Sequence, residues 1–175
     1  MFRHLKVAAA LAVVGLFGLG MAATPASASI GEFKRIQNVD NLLCLQPQTL
    51  AFGSRVVQED CDNSAAQSWA PLYMGSNHYR FINQAAGLCL SSFVLVNNGP
   101  VALDNCQIAG GTTVSNAEWN TGALLPNTVT LRSRLHFVDN NFCLDVPGRT
   151  KERHVVINVF TCNGTPAQRW FIGFA

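Results

Sequence analysis

Residues 143–170 read CLDVPGRTKERHVVINVFTCNGTPAQRW, and the same order of residue types occurs twice earlier in the chain, at residues 44–69 and 89–119. Each copy begins with a Cys-Leu pair, passes through a short Val-containing run to a second cysteine, and closes on a tryptophan. Self-similarity at a period of roughly 50 residues is the signature of a repeat architecture. The sequence therefore predicts three similar units, near residues 33–74, 78–120 and 128–174.

The repeat also predicts how the six cysteines pair. An even number of cysteines in an exported chain indicates disulfides, and each copy of the motif contains two. Zinc is the alternative, but the sequence has no C-x-x-C pair and no nearby histidine cluster to supply tetrahedral ligands. We predict one disulfide within each unit, and no metal site: Cys44–Cys61, Cys89–Cys106 and Cys143–Cys162.

The first 28 residues have the composition of a secretory signal peptide. Arg3 and Lys6 precede an apolar run at residues 7–21, and Ala26-Ser27-Ala28 supplies a small-x-small cleavage signal. A membrane anchor is disfavoured because the apolar run is shorter than the ~20 residues that a spanning helix needs. The sequence predicts secretion of a single mature domain at residues 29–175, without membrane insertion.

The charge of the mature domain argues against two classes of partner. The full chain has 12 basic and 10 acidic residues, and loss of Arg3 and Lys6 leaves the two signs balanced. A neutral domain has no long-range field to attract nucleic acid or anionic lipid. We expect neither as a partner.

Strand signals dominate residues 29–175. Short runs rich in Val, Ile, Phe, Tyr and Leu alternate with clusters of Asn, Asp, Gly, Pro and Ser, and helical patterns are nearly absent. About twelve strands are predicted, four in each unit, with residues 128–131 linking the second and third units. Their expected positions are 33–39, 43–46, 55–59 and 68–74; 78–83, 88–92, 100–104 and 118–120; and 134–138, 142–146, 154–160 and 169–174.

A unit of four strands cannot bury its own apolar face, but three units around an axis can share one core that the closing tryptophans fill. This predicts an all-β fold, a β-trefoil. The C-L-D…C…Q-x-W pattern resembles the ricin-B-type (QxW) lectin family, whose domains are β-trefoils of three such repeats. The third unit matches closely (CLDVPG…VINVFTC…AQRW), the first well (CLQPQ…VVQEDC…AQSW) and the second more loosely (CLSSF…VALDNC…NAEW).

Strand parity in the third unit predicts a binding site. Side chains two apart on a strand share a face, which places Cys143 with Asp145, and Asn158 and Phe160 with Cys162. A disulfide holds its two Cα atoms within roughly 7 Å and so brings the three other side chains together, while the intervening apolar residues face the core. A carboxylate, an amide and an aromatic ring can hold sugar hydroxyls and a sugar C–H face.

The resemblance assigns roles to these residues. It implies that Asp145 binds sugar hydroxyls, that Asn158 assists, that Phe160 stacks on the ring and that Gln168 orients the aspartate. Members of the family often have an asparagine directly before this glutamine, whereas this chain has Ala167, so one hydrogen bond to the sugar is missing. The alternative for the aspartate is that it simply begins the turn that follows it.

Neither of the first two units has a carboxylate, an amide and an aromatic ring at the positions equivalent to Asp145, Asn158 and Phe160. We therefore expect one sugar site, and a single site is usually weak because avidity needs linked sites. The residues at the three equivalent positions are Gln46, Val57 and Glu59 in the first unit, and Ser91, Ala102 and Asp104 in the second.

Catalytic motifs are missing from the sequence. It has no H-E-x-x-H, no G-x-S-x-G and no phosphate-binding glycine loop, and disulfides are expected to occupy every cysteine. The prediction is a secreted lectin for galactose- or xylose-containing glycans, with no enzymatic activity and no cofactor. The alternative is a secreted β-trefoil that binds a protein partner through its loops, as an inhibitor or an adhesion factor.

Overall fold

The computed structural model describes residues 30–106, 116–121, 128–135 and 138–173. The signal peptide predicted for residues 1–28 lies outside these ranges. Within them, no helix has the length and apolar character that a membrane crossing needs.

All fourteen strands of the described residues belong to one antiparallel sheet, and three short 3₁₀ helices connect some of them. The first repeat contains β1 (Lys34–Asn38), β2 (Cys44–Pro47), β3 (Val56–Glu59) and β4 (Ser68–Gly75), and the second contains β5 (His78–Asn83), β6 (Cys89–Ser92), β7 (Gly99–Asp104) and β8 (Glu118–Asn120). The third contains β9 (Thr128–Val129), β10 (Arg132–Leu135), β11 (Val138–Asp145), β12 (Val155–Val156), β13 (Asn158–Thr161) and β14 (Trp170–Gly173). The 3₁₀ helices span Ala65–Gln67, Pro147–Arg149 and Pro166–Gln168.

The outer strands of the three repeats pair with one another. The pairs β1–β4, β4–β5, β5–β8 and β8–β10 run in sequence, and β14 returns to pair with β1. The inner strands form the hairpins β2–β3, β6–β7 and β11–β13, which are joined by the pairs β12–β3 and β13–β7 and by a bridge between Arg55 and Ala102. The predicted β-trefoil of three repeats is confirmed.

The third repeat differs from the prediction in three places. The strand expected at 134–138 begins at Arg132, and its residues 136–137 lie outside the described residues. The strand expected at residues 154–160 is interrupted at Ile157, because β12 pairs with β3 of the first repeat whereas β13 pairs with β11 and β7. Ile157 joins all three repeats, since its N–H donates to Val56 O at 2.9 Å and its carbonyl accepts from Val101 N at 3.1 Å. The strand expected at 142–146 begins earlier, at Val138, because it also forms a hairpin with β10.

Each closing tryptophan is fully buried and makes the same hydrogen bond. Its indole N–H donates to the carbonyl of the leucine that follows the first cysteine of the same repeat. A buried indole N–H needs a hydrogen-bond acceptor. The Cys-Leu pair at the start of each motif supplies that acceptor to the tryptophan at its end. The three Nε1–O distances are 3.0 Å for Trp69 and Leu45, 2.9 Å for Trp119 and Leu90, and 3.0 Å for Trp170 and Leu144.

The disulfides join the cysteines as predicted. Each connects a cysteine within one inner strand to a cysteine one or two residues beyond the end of the strand that pairs with it. Closing a loop of this length stabilises a small domain by restricting its unfolded chain. The Cα–Cα distances are 5.2 Å for Cys44–Cys61, 5.0 Å for Cys89–Cys106 and 5.0 Å for Cys143–Cys162.

Replacing any one of the three tryptophans by phenylalanine should lower the free energy of unfolding by about 2–4 kcal/mol, because the core loses volume and a buried carbonyl loses its donor. Urea denaturation of Trp69→Phe, Trp119→Phe and Trp170→Phe measures this cost. Tyr73→Phe is the control, since Tyr73 is 49% exposed; this variant should stay within about 0.5 kcal/mol of the wild type. A tryptophan variant as stable as this control would contradict the assignment.

Candidate functional site in the third repeat

A cavity of about 200 Å³ opens on the surface of the third repeat. Its walls include Asp145 at the end of β11, Phe160 on β13, and Asn163 and Thr165 from the segment after the second cysteine. Residues 146–149, Ala167 and one residue of the second repeat, Asn98, complete the lining.

The pairing of β11 with β13 explains why Asp145 and Phe160 reach the same cavity. Asp145 lies opposite Asn158, and Cys143 lies opposite Phe160. Because side chains alternate along a strand, these four positions share one face of the hairpin. The residues between them, Leu144 on β11 and Ile157 and Val159 around β13, are fully buried in the core, as the alternation predicts.

Asp145 presents a largely desolvated carboxylate. The residue is 6% exposed, and its burial raises the pKa of the carboxyl group, while a hydrogen bond with Gln168 opposes this shift. Among the described residues no arginine, lysine or histidine forms an ion pair with it. Most of its acceptor capacity therefore remains available to a ligand with hydroxyl groups.

Gln168 supports Asp145 from behind the cavity and does not line it. The side chain is fully buried; its Oε1 accepts from Asn163 N at 2.8 Å and its Nε2 donates to Thr161 O at 3.1 Å. These two bonds fix the amide so that it can also reach the carboxylate of Asp145.

The first repeat has the same arrangement. Gln67 Oε1 accepts from Asp62 N at 2.9 Å, and Gln67 Nε2 donates to Asp60 O at 2.7 Å. The same Nε2 donates to Gln46 Oε1 at 3.0 Å, and Gln46 occupies the position equivalent to Asp145. The glutamine of each Q-x-W motif therefore connects the segment after the second cysteine to the residue two after the first.

Asn158 does not reach the cavity. It is 5% exposed, and its Nδ2 donates to Asn98 Oδ1 at 3.0 Å. Its Oδ1 is buried and has no hydrogen-bond partner in the described part of the chain. The amide that faces the cavity is instead that of Asn98. Sequence reasoning missed this residue because it lies in another repeat, outside the motif that identified the site.

The equivalent positions in the first two repeats are used within the protein. Glu59, at the position of Phe160, contacts the imidazole Nδ1 of His154 and also accepts from His154 N at 3.0 Å. In the second repeat Ser91 and Ala102 are buried, and Asp104 accepts from the neighbouring backbone N–H of Asn105 at 2.7 Å.

The cavity of the third repeat suits a neutral ligand with several hydroxyl groups and one apolar face. Phe160 is partly exposed and provides a flat apolar surface beside the Asp145 carboxylate. The cation on its rim, Arg149, is already paired with Asp40 through contacts of 2.9 and 3.1 Å. No group of three possible metal ligands occurs among the residues that the structure describes.

Solved structures with the same fold include two fungal lectins and a designed protein. The agglutinin of Rhizoctonia solani is 15% identical, with a TM-score of 0.69, 87% of this chain covered and 100% of that one. The Macrolepiota procera ricin B-like lectin, solved in complex with lactose, is 14% identical, with a TM-score of 0.66 and coverages of 84% and 98%. ThreeFoil, a designed threefold-symmetric protein, is 17% identical, with a TM-score of 0.71 and coverages of 82% and 99%.

At these identities the structural likeness establishes the fold alone. A comparison with curated protein sequences found no match to this chain. The sequence model of the ricin-type beta-trefoil lectin domain, a carbohydrate-binding domain, matches residues 32–170. That match spans most of the chain and contains all three disulfides and all three closing tryptophans, and this protein therefore belongs to the ricin-type β-trefoil lectin family.

Proposed function

We propose that this protein is a secreted lectin that binds one galactose-like or xylose-like residue in the cavity of the third repeat, without catalysis. The observation that carries the proposal is the juxtaposition of Asp145 and Phe160 in one open cavity. Secretion is proposed from the signal-peptide composition of residues 1–28.

In this proposal Asp145 accepts hydrogen bonds from two adjacent sugar hydroxyls. Hydrogen bonds to an ionised acceptor are the stronger ones, and a carboxylate that folding has already removed from water has less solvation to lose when the ligand arrives. Gln168 holds this carboxylate in place through the hydrogen bond that lowers its pKa. The ring of Phe160 lies against the C–H face of the sugar and removes apolar surface from water.

The proposed ligand carries no negative charge, because the described residues that line the cavity include no unpaired cation. Arg149 is engaged by Asp40, and apart from the carboxylate of Asp145 the other polar side chains on the wall are the uncharged ones of Asn98, Asn163 and Thr165. The Macrolepiota procera lectin was solved with lactose, which makes lactose one suitable probe, and xylobiose tests the xylose alternative. We expect weak binding, since one site gives no avidity.

Binding without hydrolysis is proposed because glycoside cleavage uses two carboxyl groups that flank the scissile bond. Of the described residues that line the cavity, only Asp145 carries a carboxylate.

Asp145→Asn should weaken binding at least about tenfold, since it removes the charged acceptor while keeping the side-chain shape. A glycan array and titration with lactose or xylobiose, followed by NMR, measure this loss. Protein made in bacteria avoids a glycan on the sequon Asn163-Gly164-Thr165, whose asparagine lines the cavity. The control is Ser91→Ala at the equivalent position of the second repeat, where the hydroxyl is buried without a hydrogen-bond partner among the described residues.

Equal binding by Asp145→Asn and the wild type would refute the site. Silence of the wild type across the array, together with a protein that co-purifies, would favour the alternative of a protein-binding trefoil. One exposed apolar surface for such a partner is the β2–β3 loop, where Leu50 and Phe52 are 52% and 61% exposed.

Phe160→Leu should weaken binding by about three- to tenfold, because leucine keeps apolar volume but lacks a flat face for the sugar. The same titrations measure it, and Phe160→Trp should bind at least as well as the wild type. If the leucine variant binds sugar as tightly as the phenylalanine protein, the ring does not stack on the ligand.

Asp145→Asn should also make the protein more stable at neutral pH. Burial raises the pKa of this carboxyl in the folded state, so the folded protein holds its proton more tightly than the unfolded chain does. The charged carboxylate therefore destabilises the folded state. The free energy of unfolding falls as the pH rises from the pKa of this group in the unfolded chain, about 3.8, through its raised pKa in the folded protein. Urea midpoints at several pH values should show the gain of the variant at pH 7 and its disappearance near pH 3; a variant less stable at pH 7 would contradict this.

A further inference from the structure

At three equivalent places, a residue with a left-handed backbone conformation (positive φ) in one repeat contacts an inner strand of another repeat. In each case its backbone N–H donates to the carbonyl of the residue three before the second cysteine. The carbonyl thus approached lies immediately before the position that Phe160 occupies in the third repeat. The donors and acceptors are Gly53 (φ +76°) to Leu103 at 2.9 Å, Asn98 (φ +66°) to Val159 at 3.0 Å, and His154 (φ +61°) to Gln58 at 3.0 Å.

The backbone is alike at these three places, but the side chains are not. Gly53 brings no side chain to the second repeat. His154 brings an imidazole to the first, where it pairs with Glu59. Asn98 brings an amide to the third repeat, where it lines the cavity together with Asp145.

The amide of Asn98 is held in a defined orientation. Its Oδ1 accepts from Asn158 Nδ2 at 3.0 Å, which leaves Nδ2 as the group without a hydrogen bond in the described part of the chain. The neighbouring Asn97 fixes the loop, since its Oδ1 accepts from both the N–H and the hydroxyl of Thr161 at 2.9 Å. Asn98, with this Nδ2 donor, and the acceptor Asp145 therefore line the same cavity.

We propose that Asn98 is a ligand-binding residue whose Nδ2 donates to a sugar hydroxyl in the cavity, so that the site spans two repeats. A hydroxyl can donate to Asp145 and accept from Asn98 at once, and the pair would select sugars with a hydroxyl at that point. Asn158 is then a positioning residue that orients Asn98. This inference rests on the proposed function. In it, Asn98 supplies an amide to a cavity in which Ala167 occupies the position where family members often have an asparagine.

Asn98→Gly tests the proposal, because glycine adopts the φ of +66° without strain and removes only the side chain. It should weaken lactose or xylobiose binding by about three- to tenfold, the worth of one uncharged hydrogen bond. His154→Gly is the matched control: it removes a side chain from the equivalent left-handed position, faces the first repeat, and should bind sugar like the wild type. Urea midpoints should show that Asn98→Gly remains folded.

Asn98→Asp is the second test, since it keeps the acceptor for Asn158, removes the donor and adds a charge near Asp145. It should bind sugar more weakly than Asn98→Gly. If the glycine variant is less stable than the wild type, sugar binding by Asn98→Asp tests the role of Nδ2 instead. Wild-type affinity in both Asn98 variants, with binding lost in Asp145→Asn, would overturn this inference and leave the proposed function intact. A wild-type protein that binds no glycan would overturn both.

Discussion

The rest of the structure depends on the hydrogen bond from each buried indole N–H to the carbonyl of the leucine after the first cysteine. This bond fixes the last strand of a repeat against its hairpin. In the third repeat it connects Trp170 to Leu144, the neighbour of Asp145, and it places Gln168, two residues before Trp170, under that carboxylate. The motif that builds the core therefore also orients the binding group, and the disulfide beside it keeps the two hairpin strands in register.

Threefold repetition applies to the backbone far more than to the surface. Tryptophans and left-handed residues recur in all three repeats, and the glutamine of the Q-x-W motif recurs in the first and third. In the first repeat, however, Gln46 is held by Gln67 of the same repeat, and Glu59 contacts His154 of the third repeat. In the third repeat the equivalent carboxylate and ring face an open cavity. A repeat protein can in this way keep the packing of three units while their surface side chains differ.

Local pattern predicted most of the fold, because alternation, turn residues and the Cys–Trp spacing depend on neighbouring residues. The strands at His78–Asn83 and Glu118–Asn120 lie where the sequence placed them. The interruption at Ile157 depends on partner strands in two other repeats, which no local pattern records. For the same reason, the alternation of side chains along the strand placed Asn158 on the correct face but could not predict that its side chain is buried. It also could not indicate that this side chain bonds to Asn98, sixty residues earlier in the chain.

We propose that one sugar residue binds in the cavity of the third repeat, between the carboxylate of Asp145, the ring of Phe160 and the amide of Asn98, which the second repeat contributes. The most direct test is a crystal structure of the mature protein soaked with its best glycan-array ligand. We expect sugar hydroxyls within hydrogen-bond distance of Asp145 Oδ and Asn98 Nδ2, and a sugar ring parallel to Phe160. A sugar bound at the first repeat beside Gln46 and Glu59, with the third-repeat cavity empty, would contradict it.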